Sequence, residues 1–240
     1  MRLTGTGSMG SGKGVAASTS GVAGGMILRE GLPFVAPFLA IGVVGLAVGW
    51  CVLGWAGLLC GLAVALFFRN PVRRPLRDPR VALSPADGRI VEISRVQEVE
   101  GRPGPFTKVS VFMSVLNVHV NRAPVSGMVV EVNHRPGRFD AAYRQETSSG
   151  NERNLVRIQM DGGREVICVQ VAGVLARRIV CWAGEGSRVL QGTPFGLIRF
   201  GSRVDTYLPD GFDPDVRMGQ RVWGGETVLG YFVDPAGGAQ

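Results

Sequence analysis

A long apolar stretch near the N-terminus dominates the pattern of hydrophobic and polar positions. Residues 31–68 contain no charged side chain. One straight helix of that length would extend about 57 Å, whereas the hydrocarbon core of a bilayer is about 30 Å thick. Two shorter helices joined by a tight turn near Gly49–Gly54 match that thickness better. The pattern therefore predicts a membrane anchor in the form of a transmembrane helical hairpin.

The residues around this stretch indicate how it would sit in a membrane. Trp50 and Trp55 fall near the predicted turn, and tryptophan favours the membrane–water interface. We expect both outer ends, and the domain that follows, on the cytoplasmic face of the inner cell membrane. A single long tilted helix and a hairpin buried in a soluble core are the alternatives. The flanking cations that favour a cytoplasmic location are Arg29, Arg69, Arg73, Arg74, Arg77 and Arg80.

Composition narrows the classes of partner. The 240-residue chain carries a net charge of +7 and has a pI near 9.9, which favours an anionic partner. Because the sequence lacks zinc-finger spacing and an aromatic-rich RNA-binding signature, we expect a phospholipid membrane and no nucleic acid. The four cysteines form no CxxC pair, so neither a metal site nor a disulfide framework is expected. Residues 1–30 are rich in Gly, Ser, Ala and Thr and predict a flexible tail.

The pattern changes at Val81, where short β-branched runs begin to alternate with Gly, Pro and Asp turns. The segments 84–93 and 185–198 both resemble turns of barrel-sandwich domains of the biotinyl or lipoyl type. A short helical turn fits Ala141–Thr147. We therefore predict a mainly β (α+β) chain in which residues 69–240 form a barrel-sandwich-like domain behind the hairpin. The predicted strands are Arg89–Ile93, Lys108–Met113, Gly127–Asn133, Leu155–Met160, Glu165–Ala172, Arg178–Trp182, Pro194–Phe200 and Val228–Val233.

Three polar residues in turn-like segments are candidates for chemistry. Asp87 lies in a PADG turn, and His119 lies in the run NVHVNRAP directly after a predicted strand. Ser202 follows Gly201 at the end of the predicted strand Pro194–Phe200. Each of these features alone is compatible with an ordinary turn or loop.

Together, these residues carry a resemblance to a known family. Five features fall in order across residues 65–235: PADG, FMSVLNVHVNRAP, NERN, EGSRVLQGTPFGLIRFGSRVD and a Gly-Ser pair near the C-terminus. In this order, behind an apolar anchor, they resemble the short bacterial form of the phosphatidylserine decarboxylase proenzymes. The resemblance implies a pyruvoyl-dependent enzyme that converts phosphatidylserine to phosphatidylethanolamine. It also implies self-cleavage between Gly201 and Ser202 into chains 1–201 and 202–240, which stay together as a heterodimer and could form a higher oligomer.

The chemistry of that family explains which residue types are needed. Loss of CO2 leaves a carbanion that needs an electron sink, and the usual sink is pyridoxal phosphate held by a lysine. Only two lysines occur, Lys13 and Lys108, and neither sits in a plausible site for that cofactor. The resemblance implies a pyruvoyl group made from Ser202 instead, whose keto carbon forms a Schiff base with the amine of the lipid.

The resemblance also implies roles for the remaining candidates. Asp87 is expected to serve self-cleavage, in which the Ser202 hydroxyl attacks the carbonyl of Gly201, because a serine hydroxyl needs a base. His119 is expected to protonate the carbanion after CO2 has left. Many relatives have two histidines in a pattern like HxxHxP, and here Arg122 stands at the second position. Arg122 is therefore a candidate contact for the lipid phosphate or carboxylate.

Two other functions are compatible with parts of the sequence. A non-enzymatic, membrane-tethered barrel-sandwich adaptor would explain the hairpin and the glycine turns. It gives no reason for Asp87, His119 and the Gly201–Ser202 pair to occur together. A pyruvoyl decarboxylase of another amino substrate would explain that combination, although the apolar hairpin favours a lipid.

Overall fold

The computed structural model describes residues 27–137, 150–173, 178–199 and 202–233. The predicted helical turn Ala141–Thr147 and most of the predicted tail lie outside these residues. The last residues assigned to the tail, 27–30, contact the rest of the protein. The Leu28 N–H donates to the Phe68 carbonyl at 2.9 Å, and Leu28 is buried. Leu28 is therefore packed against the end of the apolar stretch.

The apolar stretch forms two antiparallel helices, as predicted. Helix α1 (Leu32–Ala47) and helix α2 (Cys51–Phe67) are joined by a turn at Gly49, which has a φ of 81°. Glycines line the contact between the helices and allow the two backbones to approach closely. A Cβ atom added at Gly57 would lie 2.7 Å from the backbone nitrogen of Gly42. Close packing of this kind fixes the hairpin as a paired unit.

The two helical segments differ in whether they are long enough to cross a membrane. Together with the 3-10 turn Arg29–Gly31, α1 gives a helical segment Arg29–Ala47 of 19 residues with a mean hydropathy of 1.8. That segment is long and apolar enough to cross a membrane, whereas α2 has 17 residues. Trp50 lies at the turn as expected, but Trp55 lies inside α2 because the turn is tighter than predicted. The apolar N-terminal helix indicates membrane association.

The rest of the described chain is mainly β, which confirms the predicted fold class. All eight predicted strands are present. The strand predicted at Arg89–Ile93 extends to Val99, the one predicted at Lys108–Met113 begins at Arg102, and the others differ by at most two residues at an end. The strands are β1 (Val81–Leu83), β2 (Gly88–Val99), β3 (Arg102–Met113), β4 (Val120–Arg122), β5 (Gly127–Arg135), β6 (Arg153–Gln159), β7 (Glu165–Ala172), β8 (Ile179–Cys181), β9 (Arg188–Val189), β10 (Pro194–Ile198), β11 (Ser202–Pro209), β12 (Phe212–Pro214), β13 (Arg221–Val222) and β14 (Val228–Phe232).

The described strands form three antiparallel sheets. The largest is a curled sheet in the order β13-β2-β3-β11-β7-β6-β5-β9. Two three-stranded sheets, β1-β14-β12 and β4-β10-β8, complete the domain. The main apolar core includes residues from all three sheets, among them Ile90, Val111, Val204, Phe195 and Leu229. The strand β11 thus lies in the interior of the large sheet, between β3 and β7.

A second apolar cluster joins the base of the hairpin to the domain. Phe67 and Phe68 at the end of α2 are buried against Val118, Val120 and Leu197. The sharp change in composition at residue 69 therefore does not coincide with a structural boundary. We conclude that the base of the hairpin is part of the folded domain.

Candidate functional site

Ser202 begins a strand that the sequence did not predict. The preceding strand β10 ends at Ile198, and Ser202 is the first residue of β11, not part of a loop after β10. It pairs with Met113 of β3 on one side and with Ala172 of β7 on the other. Its side chain is fully buried, and its Oγ has no hydrogen-bond partner among the described residues. Gly201, the other half of the predicted cleavage site, lies outside the described residues.

His119 is held directly before β4 in a fully buried position. Its Nδ1 lies 2.9 Å from the carbonyl oxygen of Asn117. A carbonyl oxygen only accepts hydrogen bonds, so Nδ1 carries the proton and the neutral ring presents an unprotonated Nε2. That Nε2 atom is buried and has no partner in the part of the chain that the structure describes. Nε2 is therefore the ring atom at which a hydrogen bond or a proton could be accepted.

The surroundings of His119 strongly favour its neutral form. Burial lowers its pKa from 6.5 to about 4, since a charged imidazole would lose its hydration. The Asn117 carbonyl opposes this shift, and the positive charge of Arg69 adds to it. The ring of Phe67 lies 4.3 Å from the imidazole, centroid to centroid, at an angle of 38°. The end of the hairpin thus forms one wall around the histidine.

Asp87 is held in the turn between β1 and β2 by two donors. The backbone N–H of Gly224 donates to Oδ1 at 2.7 Å, and the guanidinium of Arg73 donates to Oδ2 at 2.6 Å. Burial raises the pKa of Asp87, although Gly224, Arg73 and the positive charge of Arg122 oppose the increase. The carboxylate is therefore oriented by the protein and binds a proton more readily than an exposed aspartate.

Glycine is required beside Asp87. A Cβ atom added at Gly88 would lie 2.1 Å from the carbonyl oxygen of Phe112, so only glycine allows β2 to approach β3 this closely. This explains why the PADG motif ends in glycine.

The strand register brings Asp87 and Ser202 to one end of the large sheet. Arg89 of β2 pairs with Phe112, and the next residue of β3, Met113, pairs with Ser202. Asp87 directly precedes β2 and therefore lies at the same end of the sheet as Ser202. The two residues are two strands apart, so their backbones are separated by about 10 Å at a strand spacing of about 4.8 Å. The carbonyl of His119 accepts from the N–H of Ile198 at 3.3 Å, four residues before Ser202.

A chain of buried amides connects two further motifs to this end of the sheet. Asn154, from the NERN motif, donates to Gln170 at 2.9 Å. Gln170 donates to Asn121 at 2.8 Å, and Asn121 contacts the sulfur of Met113 at 3.7 Å. Motifs that are far apart in sequence therefore support the strand that pairs with Ser202. These buried amides were not predicted, because their partners are distant in sequence.

Arg122 does not occupy the position expected of a contact for the lipid. Its guanidinium is buried and donates to the side-chain oxygen of Asn70 at 2.6 Å and to the carbonyls of Pro71 and Gly192 at 2.9 and 3.1 Å. Its backbone N–H donates to the carbonyl of Pro85 in the PADG turn. Burial lowers its pKa to about 10. Arg122 thus ties the segment after the hairpin to the turn that carries Asp87.

The sequence predicts for Arg73 only a role as a positive charge beside the membrane surface. It forms ion pairs with Asp87 and, at 2.9 Å, with Glu226. The sequence offered no signal for these pairs, because the three residues lie in separate segments.

Comparison with known proteins identifies the family of this chain. Residues 61–230 match the family described as phosphatidylserine decarboxylase. Proteins named phosphatidylserine decarboxylase proenzyme are similar over most of their length. Those of Mycobacterium tuberculosis and Mycobacterium marinum are 50% identical over 202 residues, covering 83% of this chain and 87% and 83% of the relatives. That of Paramagnetospirillum magneticum is 49% identical over 207 residues, covering 85% of each chain. The chain therefore belongs to the phosphatidylserine decarboxylase family.

Proposed function

We propose that this chain removes the carboxyl group of phosphatidylserine to give phosphatidylethanolamine, after cutting itself between Gly201 and Ser202. The observation that carries this proposal is a pair of fully buried polar atoms, Ser202 Oγ and His119 Nε2, that have no partners among the described residues. Leaving such atoms unpaired costs about 1–3 kcal/mol each, and a role in the chemistry would account for that cost. A membrane-tethered adaptor would offer no such reason.

Self-cleavage accounts for the buried hydroxyl of Ser202. Its oxygen attacks the carbonyl carbon of Gly201, and the acyl group moves from nitrogen to oxygen. Elimination then removes the Cα proton of residue 202 and breaks the bond between Cβ and that oxygen, which releases residues 1–201 with a carboxylate end and leaves a dehydroalanine at position 202. Water hydrolyses this residue, ammonia leaves, and a pyruvoyl group remains at the start of the shorter chain. Because Ser202 Oγ leaves with residues 1–201, His119 Nε2 is the one of the two unpaired buried atoms that remains available to such a group.

Asp87 is the proposed proton acceptor for the cleavage. Serine hydroxyls are weak nucleophiles and need a base. The raised pKa of Asp87 improves its ability to take a proton, and Arg73 and the Gly224 N–H fix the orientation of its carboxylate.

His119 is the proposed proton carrier for turnover. The amine of the substrate must lose a proton before it can act as a nucleophile, and the unprotonated Nε2 of His119 can accept that proton. The same nitrogen then delivers the proton to the α-carbon after CO2 has left. The pyruvoyl group supplies the electron sink for the decarboxylation. Burial around His119 excludes water that would otherwise compete in these transfers.

The two products of cleavage would stay together because of the position of β11. This strand begins at Ser202 and pairs with β3 and β7 on both sides, and both neighbours belong to chain 1–201. Strand β14 also pairs with β1 of the longer chain. We therefore propose a heterodimer of chains 1–201 and 202–240.

The hairpin is proposed to hold the enzyme in the inner membrane, with the β domain on the cytoplasmic face. Apolar side chains of both helices are exposed in the isolated protein, including Val43, Val52 and Leu59. Arginines at the outer ends of the hairpin support the cytoplasmic orientation.

Intact mass measurement of the purified protein tests the proposal. We expect two chains, 1–201 and 202–240, with a pyruvoyl group in place of Ser202. The Ser202→Ala variant should be a single intact chain that releases no CO2 from phosphatidylserine. A single uncleaved chain with full activity would contradict the mechanism. Turnover of free serine in preference to the lipid would contradict the proposal that phosphatidylserine is the substrate.

A further inference from the structure

We propose that the turn Ser114–Asn117, together with Arg89 and Arg221, forms a second membrane-docking surface that contacts anionic phospholipid beside the hairpin. This inference rests on the proposed anchoring of the hairpin in a membrane. It adds a contact on the β domain, immediately before His119 in the sequence.

The turn presents two apolar side chains to solvent. Ser114 and Asn117 close it, with the Asn117 side-chain oxygen accepting from the N–H and the hydroxyl of Ser114 at 2.9 and 2.7 Å. Between them, Leu116 is 84% exposed and Val115 is 45% exposed. The next residue, Val118, is buried in the cluster at the base of the hairpin. A closed turn that displays two apolar side chains at its tip is suited to insertion into a lipid interface.

The turn lies at the level where the hairpin would leave the bilayer. Arg69 directly follows the hairpin, and its guanidinium donates both to Leu66 of α2, at 2.6 Å, and to the carbonyl of Leu116, at 2.7 Å. An arginine at the end of an apolar helix is expected at the interface. The bond to Leu116 therefore places the tip of the turn at that interface.

The adjacent surface has the charge that an anionic lipid requires. A depression of about 370 Å³ lies beside the turn, and Arg89, Phe112, Leu116 and Arg221 are among the residues that line it. Arg89 and Arg221 are direct cross-strand neighbours on β2 and β13. Neither arginine forms an ion pair within the described ranges. Like charges directly opposite each other destabilise a sheet, and an anionic headgroup between them would remove that repulsion.

A tryptophan extends the same surface. The guanidinium of Arg221 lies 5.7 Å from the ring centroid of Trp223, and that ring is partly exposed. Arginine and tryptophan are residues that favour the membrane interface. An anionic bilayer is the occupant that fits this surface, because the surface combines an apolar tip, a cationic depression and a tryptophan.

Photocrosslinking tests the contact without depending on enzyme activity. The full chain carrying p-benzoylphenylalanine in place of Leu116 is reconstituted in vesicles of phosphatidylcholine mixed with phosphatidylglycerol. A matched variant carries the same residue in place of Met128, which is partly exposed on β5, four strands from β3. We expect lipid adducts several times more abundant at position 116 than at position 128. Equal yields at both positions would overturn the proposal.

Charge substitution tests the cationic part of the surface. One arginine near an anionic membrane contributes about 1 kcal/mol, so Arg221→Gln should lower the adduct yield at position 116 by up to about fivefold at low salt. The control Arg95→Gln removes the same charge from an exposed position about 20 Å along β2 from Arg89 and should leave the yield unchanged. An equal loss in both variants would show general attraction of the protein to the membrane and would overturn the specific surface.

Activity provides a second measurement that separates this proposal from the proposed function. The ratio of decarboxylation of phosphatidylserine in vesicles to that of a dispersed short-chain analogue should fall about tenfold in Leu116→Ser, because a buried leucine contributes that much or more to transfer from water. The ratio should not change in Met128→Ser. An unchanged ratio in Leu116→Ser would overturn the docking surface. Absence of turnover of either substrate by the parent would overturn the proposed function while the crosslinking result still stands.

Discussion

The ring of Phe67, the last residue of the apolar hairpin, lies 4.3 Å from the ring of His119, the candidate proton carrier. The anchor and the site are therefore one packed unit and not two modules joined by a linker. Phe67 covers the imidazole and contributes to the burial that lowers the pKa of His119 to about 4. Substitution of Phe67 should consequently change the pKa of His119.

Removal of the Phe67 ring should raise the pKa of His119 towards 6.5. Phe67→Ala leaves a cavity beside the imidazole that water can enter, and such truncations cost about 3–5 kcal/mol of stability. Phe67→Leu should retain a low pKa because it keeps an apolar cover. Titration by NMR is direct, since the chain has only two histidines and a His119→Gln variant identifies the signal.

The control for this change is Phe38→Ala, which removes a partly exposed ring from the first half of α1. It should leave the titration of His119 unaltered. If Phe67→Ala titrates like the parent, Phe67 does not control the burial of the histidine.

Truncation of the whole hairpin should destroy the fold, whereas shortening it should not. Deletion of residues 1–68 removes Leu28, Phe67 and Phe68 from a buried cluster, so we expect an aggregated, uncleaved product. Replacement of residues 36–63 by a short Gly-Ser linker keeps the base and removes most of the exposed apolar surface. This second variant should fold, cleave itself and float with vesicles much less than the parent does.

Gel filtration, mass measurement and vesicle flotation distinguish these outcomes. A soluble, self-cleaving product from the deletion of 1–68 would show that the base of the hairpin is dispensable. Membrane binding by the shortened form at the parent level would show that the β domain alone provides the anchor.

Local sequence patterns predicted the elements that are stabilised locally. The hairpin and the eight predicted strands follow from an uncharged stretch and from β-branched runs between turns. The short strands β4 and β9 form because of their tertiary neighbours and have no such pattern. Strand β11 was missed for a different reason. Arg203 and Asp205 are buried in it and form an ion pair at 2.8 Å, so its sequence resembles an exposed segment.

The candidate site was predictable only where a motif existed. Asp87, His119 and Ser202 stood in motifs, and the strand register places Asp87 and Ser202 at one end of the large sheet. The contacts of Phe67 with His119 and of Arg73 with Asp87 join segments that are distant in sequence, and periodicity and turn chemistry carry no information about such pairs.

Substitution of Arg122 should affect stability more than affinity for the lipid. Arg122→Gln shortens the side chain and leaves buried oxygens of Asn70, Pro71 and Gly192 without their donor, at a cost of about 1–3 kcal/mol for each unpaired group. We expect a clear loss of thermal stability and a KM for phosphatidylserine close to that of the parent. Thermal unfolding and steady-state kinetics in the same micelles provide both values.

The matched control is Arg95→Gln, which removes an exposed arginine and should change neither value. A large rise in KM with unchanged thermal stability would instead support the contact between Arg122 and the lipid that the sequence suggested.

Asp87 and His119 should differ in phenotype. Asp87→Asn keeps the shape but removes the base for self-cleavage, so the uncut precursor should accumulate. His119→Ala should still cleave, at least slowly, but its turnover should fall by about 10²–10⁴-fold, the usual contribution of a general acid or base. Electrophoresis follows cleavage, and thin-layer chromatography follows the product. The control Asp213→Asn changes an exposed aspartate of β12 and should behave like the parent.

A common phenotype would contradict this division of roles. If His119→Ala blocks cleavage as completely as Asp87→Asn, the two residues act as one processing unit. Full activity of His119→Ala would mean that another group supplies the proton.

The pH dependence of turnover should reveal the low pKa of His119. The proposed cycle begins with neutral His119, because Nε2 must accept the proton of the substrate amine. Protonation of the ring would block that step, and with a pKa of about 4 the ring stays neutral well below pH 6.5. We therefore expect kcat/KM of the processed enzyme to hold its value as the pH falls through 6.5 and to decline only towards pH 4. In Phe67→Ala the decline should begin nearer pH 6.5, in step with the NMR titration of the same variant. A decline of the parent near pH 6.5 would mean that His119 is hydrated in the working enzyme, and it would remove the basis for assigning the buried Nε2 as the proton acceptor.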